Sequence, residues 1–181
     1  MSSRVVTIPT LDRPLHAQVP TNLGVRPITK TDFDVIVQVV DHWWEGPISA
    51  LVHPMFFYEL GKFARVVEDL ANGGRVVGFL LGFIVPASEA MPRVDGAPAH
   101  AVGYVHLVGI DPPYRRQGVA RALYQEFAAS CAAAGCHHLK AITNVGNVGS
   151  ARFHQALGWT GGEDPDYAGP GRRRIVFNKT I

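Results

Sequence analysis

The chain has 181 residues and a mass of 19.6 kDa, enough to bury a core without disulfides or metals. Hydrophobic residues make up 47% and charged residues 18%, below the roughly 25% charge of an average globular protein, which excludes a disordered chain. A net charge of +2 argues against nucleic acid or an anionic membrane as the partner.

The longest uncharged apolar run, Val76 to Ala87, is too short to span a bilayer. Pro9, Asp12, Arg13 and Pro14 interrupt the N-terminus, so no signal peptide is expected. Two cysteines, Cys131 and Cys136, make no disulfide framework. A cytoplasmic protein is the expectation.

Residues 1–24, with Pro9, Pro14 and Pro20 and no sustained period, read as an irregular arm ahead of a single domain, 25–181. Val25-Arg26-Pro27-Ile28 reads as a strand that Pro27 confines to a sheet edge. Thr29 or Thr31 then caps a helix whose apolar residues Val35, Ile36, Val39, Val40 and Trp43 share one face. Gly46-Pro47 ends it, and an aromatic helix with Phe56, Phe57, Leu60 and Phe63 follows Pro54. The runs 64–68 and 75–85 flank Asn72-Gly73-Gly74, as in a β-hairpin.

Pro86 to Pro98 is a loop, and Ala101 to Ile110 a strand stopped by Asp111-Pro112-Pro113. A helix from Gly118 to about Ala134 stops at Gly135. A short strand, Leu139 to Thr143, leads into a short helix, Asn147 to Leu157. A turn-rich stretch, Gly161 to Gly171, precedes a last strand, Arg174 to Asn178. The order predicts a mixed α/β (α+β-like) sheet with helices on both faces.

Most of the chemistry lies in Arg115-Arg116-Gln117-Gly118-Val119-Ala120, between a strand and a helix. The first N–H groups of a helix have no partner inside it and sit at the positive end of its dipole. Gly118 lets an anion approach the backbone, and Arg115 and Arg116 add charge, which makes a phosphate cradle. No Gly-x-x-x-x-Gly-Lys-Ser/Thr and no Gly-x-Gly-x-x-Gly is present, so neither a P-loop nor a dinucleotide fold is supported. On these six residues alone, a solvated basic turn fits as well as a cradle.

Arg115-x-x-Gly118-x-Ala120 resembles the acyl-CoA signature Q/R-x-x-G-x-G/A of the GNAT N-acetyltransferase superfamily. A second block, Asn147, Ser150, Phe153, His154 and Leu157-Gly158-Trp159, resembles that family's N-x-x-A-x-x-φ-Y-x-x-x-G-F. The order of elements agrees from Val25 to Asn178. The resemblance implies a splayed central strand pair, here Tyr104 to Ile110 and Leu139 to Thr143. It also implies acetyl-CoA as acyl donor, an amine acceptor and no metal. Dimers are common among proteins of this kind.

By the same resemblance, the pantetheine arm pairs with backbone near Val108 and Ile110. The pyrophosphate meets amides from Gln117 through Gly118 and Val119 to Ala120. Asn147, Ser150 and Phe153 line the pantetheine side, and Arg115, Arg116 or Arg121 reaches the outer phosphates. The function implied is direct acetyl transfer to a primary amine. The alternative is a non-catalytic acyl-CoA sensor of the same fold.

Transfer needs a neutral amine, a donor for the carbonyl oxygen and a proton for the departing thiolate. The family often uses a tyrosine as that acid; this sequence has His154 at the matching position, and His154 is the expected substitute. His106, expected on one strand face with Tyr104, Val108 and Ile110, is a candidate base, and Glu45 is the other. Trp44, Tyr104 and Tyr167 are candidate acceptor contacts. Glu45, Glu163, Asp164 and Asp166 would favour a cationic amine if they faced one cleft. Cys131, Cys136, His137 and His138 match no common zinc spacing.

Overall fold

The computed structural model describes residues 20–44, 46–87 and 100–181. The expected arm therefore lies largely outside the described residues, as do Glu45 and most of the 86–98 loop. The elements in order are β1 (Leu23–Pro27), α1 (Lys30–Trp44), α2 (Met55–Tyr58), β2 (Arg65–Asp69), β3 (Arg75–Val85), β4 (Val102–Ile110), α3 (Val119–Ala133), β5 (His138–Asn144), α4 (Val148–Ala156), β6 (Thr160–Asp164) and β7 (Arg174–Thr180). They form a seven-stranded mixed sheet in the order β1-β2-β3-β4-β5-β7-β6.

Two cores cover its faces. Phe33, Ile36, Val40 and Trp43 of α1 pack on Val66, Phe79, Leu81 and Leu107. Leu123, Phe127 and Cys131 of α3 pack on Val67, Leu80, Val105 and Leu139 of the opposite face, with Phe153 and Leu157 of α4 beside them. No described helix is long and apolar enough to cross a membrane.

Local chemistry sets the ends. Thr29 caps α1 through a reciprocal pair: its Oγ1 accepts from the Asp32 amide at 3.3 Å, and its own amide donates to Asp32 Oδ2 at 2.7 Å. Arg26 donates to both Asp32 and Glu68, joining β1, α1 and β2. The β2–β3 connection turns through Gly73 at φ 65°, with the Asp69 carboxylate accepting from the Ala71 amide.

Several boundaries differ from the sequence expectation, among them four that matter for the fold. β1 begins at Leu23, inside the expected arm. The aromatic helix is one turn, Met55–Tyr58, followed by a 3₁₀ turn over Gly61–Phe63, because Gly61 is a poor helix interior residue. The 64–68 strand starts at Arg65. The turn-rich stretch begins with a strand, β6, whose Gly161 lies against the β7 backbone. A Cβ there would stand 2.2 Å from the Val176 carbonyl oxygen, so the strand requires the residue that hides it.

The functional opening arises in the middle of the sheet. β4 and β5 pair in parallel only from Val102↔His138 to Val105↔Ala141. Beyond that point β4 continues to Ile110 on β3 and β5 to Asn144 on β7, with no pairing between the two. At the same place the β3–β4 register passes from Leu81↔Leu107 to Gly82↔Val105, so His106 is an extra residue in a β-bulge. A bulge bends its strand and strengthens its twist, which carries β4 away from β5.

Candidate active site

The gap between β4 and β5 opens into a cavity of about 520 Å³. Its walls include Val105, His106, Val108 and Ile110 of β4, Ala141 to Thr143 of β5, and Asn147, Ser150, Phe153 and His154 around α4. Trp43, Trp44, Arg115, Ala120 and Tyr124 complete its lining. The structure thus brings His106, His154, Val108, Ile110, Arg115, Ala120, Asn147, Ser150, Phe153 and Trp44 to one cavity. Tyr104 and Tyr167 do not line it, although they lie on its sheet face.

The bulge corrects one expectation. His106 does not share its face with Val108 and Ile110. Val108 and Ile110 pack towards α3, whereas Leu107 belongs to the α1 core. The His106 ring stacks on Phe56 of α2, with centroids 3.8 Å apart. Regular alternation, which the expectation assumed, fails where one extra residue enters the strand.

The backbone of β4 is available where the arm of acetyl-CoA needs it. The Asp111 amide donates to the Val77 carbonyl of β3 at 3.0 Å. Alternation along an antiparallel pair then turns the peptide groups of Gly109 to β3 and those of Val108 and Ile110 to the gap. The Ile110 carbonyl already accepts from Arg115 Nε at 3.2 Å.

The loop into α3 is a nest of free donors. Arg116 sits at φ 62°, the one described non-glycine residue with positive φ, and Gly118 at φ 86° is the N-cap of α3. Among the described residues, the amides of Gln117, Gly118, Val119 and Ala120 have no acceptor; the first bond into the helix is Ala122 to the Gly118 carbonyl. Successive free amides at a helix start, with left-handed residues before them, make an anion-binding concavity. The Gln117 side chain donates back to the Pro113 carbonyl at 2.7 Å. Tyr114 anchors the loop by donating to Asp69 Oδ2 at 2.7 Å. That bond, with those from Asn22 and Asn72, holds the Asp69 carboxyl down at about 2.

Arg115 is turned inward. Its guanidinium donates to the Trp43 carbonyl at the end of α1 as well as to Ile110. This differs from a side chain reaching for outer phosphates; the cavity lies beside it instead.

His154 is 4% exposed and both ring nitrogens are engaged. Nδ1 lies 2.8 Å from the Ser150 carbonyl, which only accepts, so Nδ1 carries the hydrogen. Nε2 lies 3.0 Å from the Tyr124 hydroxyl. The ring is stacked on Phe177 at 4.3 Å and meets Trp159 edge-on. Burial pushes its pKa below the usual histidine value, against the opposing Ser150 contact.

His106 is half-buried. Its Nε2 donates to the Leu51 carbonyl at 2.9 Å, which leaves Nδ1 as the acceptor nitrogen. Burial lowers its pKa as well, with the Leu51 carbonyl acting the other way.

The acidic residues do not converge on the cavity. Glu163 pairs with Arg173 at 3.0 Å, Asp164 accepts from the Asp166 amide at 3.1 Å, and Asp166 accepts from the Gly171 amide at 2.7 Å. They brace the β6–β7 loop. From that loop Tyr167 reaches Tyr104, and Lys140 Nζ lies 4.9 Å from the Tyr167 ring centroid. Burial, then Tyr167, pushes the Tyr104 hydroxyl up to about 12.

Cys131 and Cys136 are buried free thiols, and neither lines the cavity. Among the described residues no three His, Cys, Asp or Glu side chains are grouped to hold a metal. Sequence reasoning missed Tyr124. It sits inside the apolar run of α3, and the one signal was that a buried tyrosine hydroxyl needs a partner.

The acetyltransferase (GNAT) family model matches residues 36–159. No curated protein matches the sequence. Solved structures share the fold. Ard1 from Thermoplasma volcanium is 18% identical with a TM-score of 0.67, over 89% of this chain and 99% of that one. Arabidopsis thaliana NAA60 in complex with acetyl-CoA is 19% identical with a TM-score of 0.69, over 88% and 99%. The NatC complex bound to Gag peptide and CoA gives 15% and 0.71, over 89% and 99%.

Proposed function

Because the chain belongs to the acetyltransferase (GNAT) family and so transfers acetyl from acetyl-CoA to an amine, we propose that its acceptor is the α-amine of a peptide and that transfer is direct, within the β4–β5 cavity. The single observation that carries the site assignment is the cavity itself. One cavity runs from the strand backbone at Val108 to Ala120, the last residue of the run of free amides that begins at Gln117.

The residues fit acetyl-CoA. The Gln117–Ala120 amides hold the pyrophosphate, and the gap-facing backbone of Val108 pairs with the pantetheine arm. Asn147, Ser150 and Phe153 form the opposite wall. Bound there, acetyl-CoA supplies a thioester carbonyl. The Val108 amide donates to its oxygen as negative charge builds. Neither cysteine lines the cavity, which supports transfer without an acyl-cysteine.

The acceptor class follows from the other wall. Trp43, Trp44 and His106 line it, and no carboxylate does among the described residues. An α-ammonium has a pKa of about 7.7–8.0, against about 10.4 for a lysine side chain. A neutral histidine suffices to take a proton from the former. Nδ1 of His106 takes that proton, directly or through water, while the Leu51 carbonyl fixes the ring. Tyr104 and Tyr167 extend the same face and contact the peptide beyond its first residue. A structure of Arabidopsis thaliana Naa50 carries the bisubstrate analogue CoA-Ac-MVNAL, which joins CoA to such a peptide. A cytoplasmic setting agrees with a sequence whose two cysteines, Cys131 and Cys136, make no disulfide framework.

The test is acetyl-CoA-dependent thiol release with three acceptors: the pentapeptide Met-Val-Asn-Ala-Leu, the same peptide with a blocked N-terminus and an internal lysine, and phosphinothricin. Turnover with the free N-terminus alone supports the reading. Turnover with lysine or phosphinothricin alone overturns the acceptor class. Acetyl-CoA also raises thermal stability where ATP and NAD do not, by about 2.7 kcal/mol at 100 times its dissociation constant. Such stabilisation without turnover on any amine would mark an acyl-CoA sensor.

A further inference from the structure

We propose that Tyr124 is the proton donor to the departing CoA thiolate and that His154 is the positioning residue that holds it. The inference rests on the acetyl-transfer reading and assigns a task within the same cavity.

Hydrogen-bond accounting carries it. Nδ1 of His154 faces a carbonyl, so its one hydrogen is spent on Ser150. Nε2 is then a lone pair, and Tyr124 must be the donor across the 3.0 Å contact. His154 has no N–H left for the cavity. Tyr124 has a phenolic hydrogen, lines the cavity, and comes from α3, whose first turn carries the anion nest. The two residues lie 30 positions apart on helices that pack together. The sequence pattern therefore shows a histidine where a tyrosine is expected, while the tyrosine arrives from the neighbouring helix.

The fit is rigid on both sides. The Tyr124 ring meets Phe153, His154 and Trp159 edge-on, at centroid distances of 5.1, 5.5 and 5.7 Å. His154 is clamped between Ser150 and the Phe177 stack. Burial raises the Tyr124 pKa further, which keeps the phenol protonated until a base forms beside it. Buried beside Phe177 and Trp159, His154 stays neutral and remains an acceptor.

The step balances. The amine nitrogen forms its bond to the acyl carbon and the carbon–sulfur bond breaks, its electron pair leaving on sulfur. The Tyr124 hydrogen swings from His154 Nε2 to sulfur and is transferred as a proton. The Tyr124 oxygen regains a proton from the one shed by the amine nitrogen, through water. No oxidant or further reactant is needed.

Three single variants, Tyr124→Phe, His154→Phe and His154→Gln, and the double variant Tyr124→Phe/His154→Phe test it, each measured for thiol release, acetyl-CoA affinity and thermal stability. Tyr124→Phe should lower kcat about 100-fold or more, within the range for removing a general acid, and leave acetyl-CoA affinity within about twofold. His154→Phe should lose kcat but cost little in a Tyr124→Phe background. His154→Gln keeps an acceptor for the Tyr124 hydroxyl and should recover part of the loss. Tyr124→Phe turning over within about threefold of the parent overturns the proposal. So does a full further loss from His154→Phe in the Tyr124→Phe background, which would make the histidine an independent acid. Failure of the underlying reading looks different: the parent protein itself would release no thiol with any amine, and the proposal would fall with it.

Discussion

The Arg115 guanidinium holds the Trp43 carbonyl, and so ties the anion-binding loop to the end of α1. A second bond to the Ile110 carbonyl fixes the same side chain to β4. One residue thereby joins three parts of the cavity: the donor loop, the splayed strand and the wall that bears Trp44.

Replacing Arg115 with methionine should loosen all three. Charged hydrogen bonds contribute about 1.5–3 kcal/mol each when buried, and the exposed bond to Ile110 and the part-buried bond to Trp43 place the loss at the low end. A fall of about 3–6 °C in Tm is expected, at 2–4 °C per kcal/mol for a domain of this size. KM should rise for acetyl-CoA and for the acceptor together. A rise for acetyl-CoA alone would mean that Arg115 acts only on the donor and that its tie to α1 has no functional consequence.

Gly118 separates binding from folding in another way. At φ 86° a β-branched residue is strained, and its side chain would enter the amide nest. Gly118→Val should weaken acetyl-CoA binding by at least about tenfold, since 1.4 kcal/mol is lost as strain or contact with little difficulty. Isothermal titration with CoA reads it directly. Unchanged affinity would remove the nest from the binding site.

The helix start was legible in the sequence because its signals are local. Asp111-Pro112-Pro113 stops a strand, and a glycine three residues after an arginine opens a helix. The split of β4 and β5 was reachable only through resemblance. Its cause, the extra residue at His106, has no sequence mark, because an extra apolar or aromatic residue looks like continued strand. β6 was hidden for the opposite reason: its two glycines read as turn, although one is there to let two backbones meet. Tyr124 was hidden inside a core stripe. Each miss concerns a long-range contact that overrode a local pattern.

The two buried histidines give a pH dependence with a defined sign. His106 and His154 bind a proton less readily in the folded chain than in the unfolded one, where the pKa is about 6.5. As pH falls through that value the unfolded state takes up more protons, so stability is present above it and lost below it. The slope approaches about 1.4 kcal/mol per pH unit for each histidine. Thermal unfolding between pH 8 and pH 5 checks it. The rate has its own acid limb, with a midpoint below 6.5, if His106 Nδ1 is the base. His106→Gln should abolish that limb and leave the stability slope of His154. A limb that survives the substitution would assign the base elsewhere.

Gly161 tests whether the β6–β7 loop belongs to the acceptor wall. The glycine lies on the outermost strand, and a Cβ there would stand 2.2 Å from the Val176 carbonyl oxygen and 2.9 Å from the Phe177 Cα. Both are backbone atoms, so no side-chain rotation relieves the clash and β6 must move off β7. Overpacking of this kind costs about 1–3 kcal/mol, and Gly161→Ala should sit at the upper end, with Tm falling about 6–12 °C. The loop that β6 leads into carries Tyr167, which reaches Tyr104 and the Lys140 ammonium. Displacing the strand pulls that tyrosine from its place. The amide nest lies at the start of α3, and α3 packs on β2, β3 and β4 rather than on β6. Acceptor KM should therefore rise several-fold while acetyl-CoA affinity stays within about twofold. A lowered Tm with an unchanged acceptor KM would leave Tyr104 and Tyr167 as packing residues and confine the acceptor to the wall formed by Trp43, Trp44 and His106.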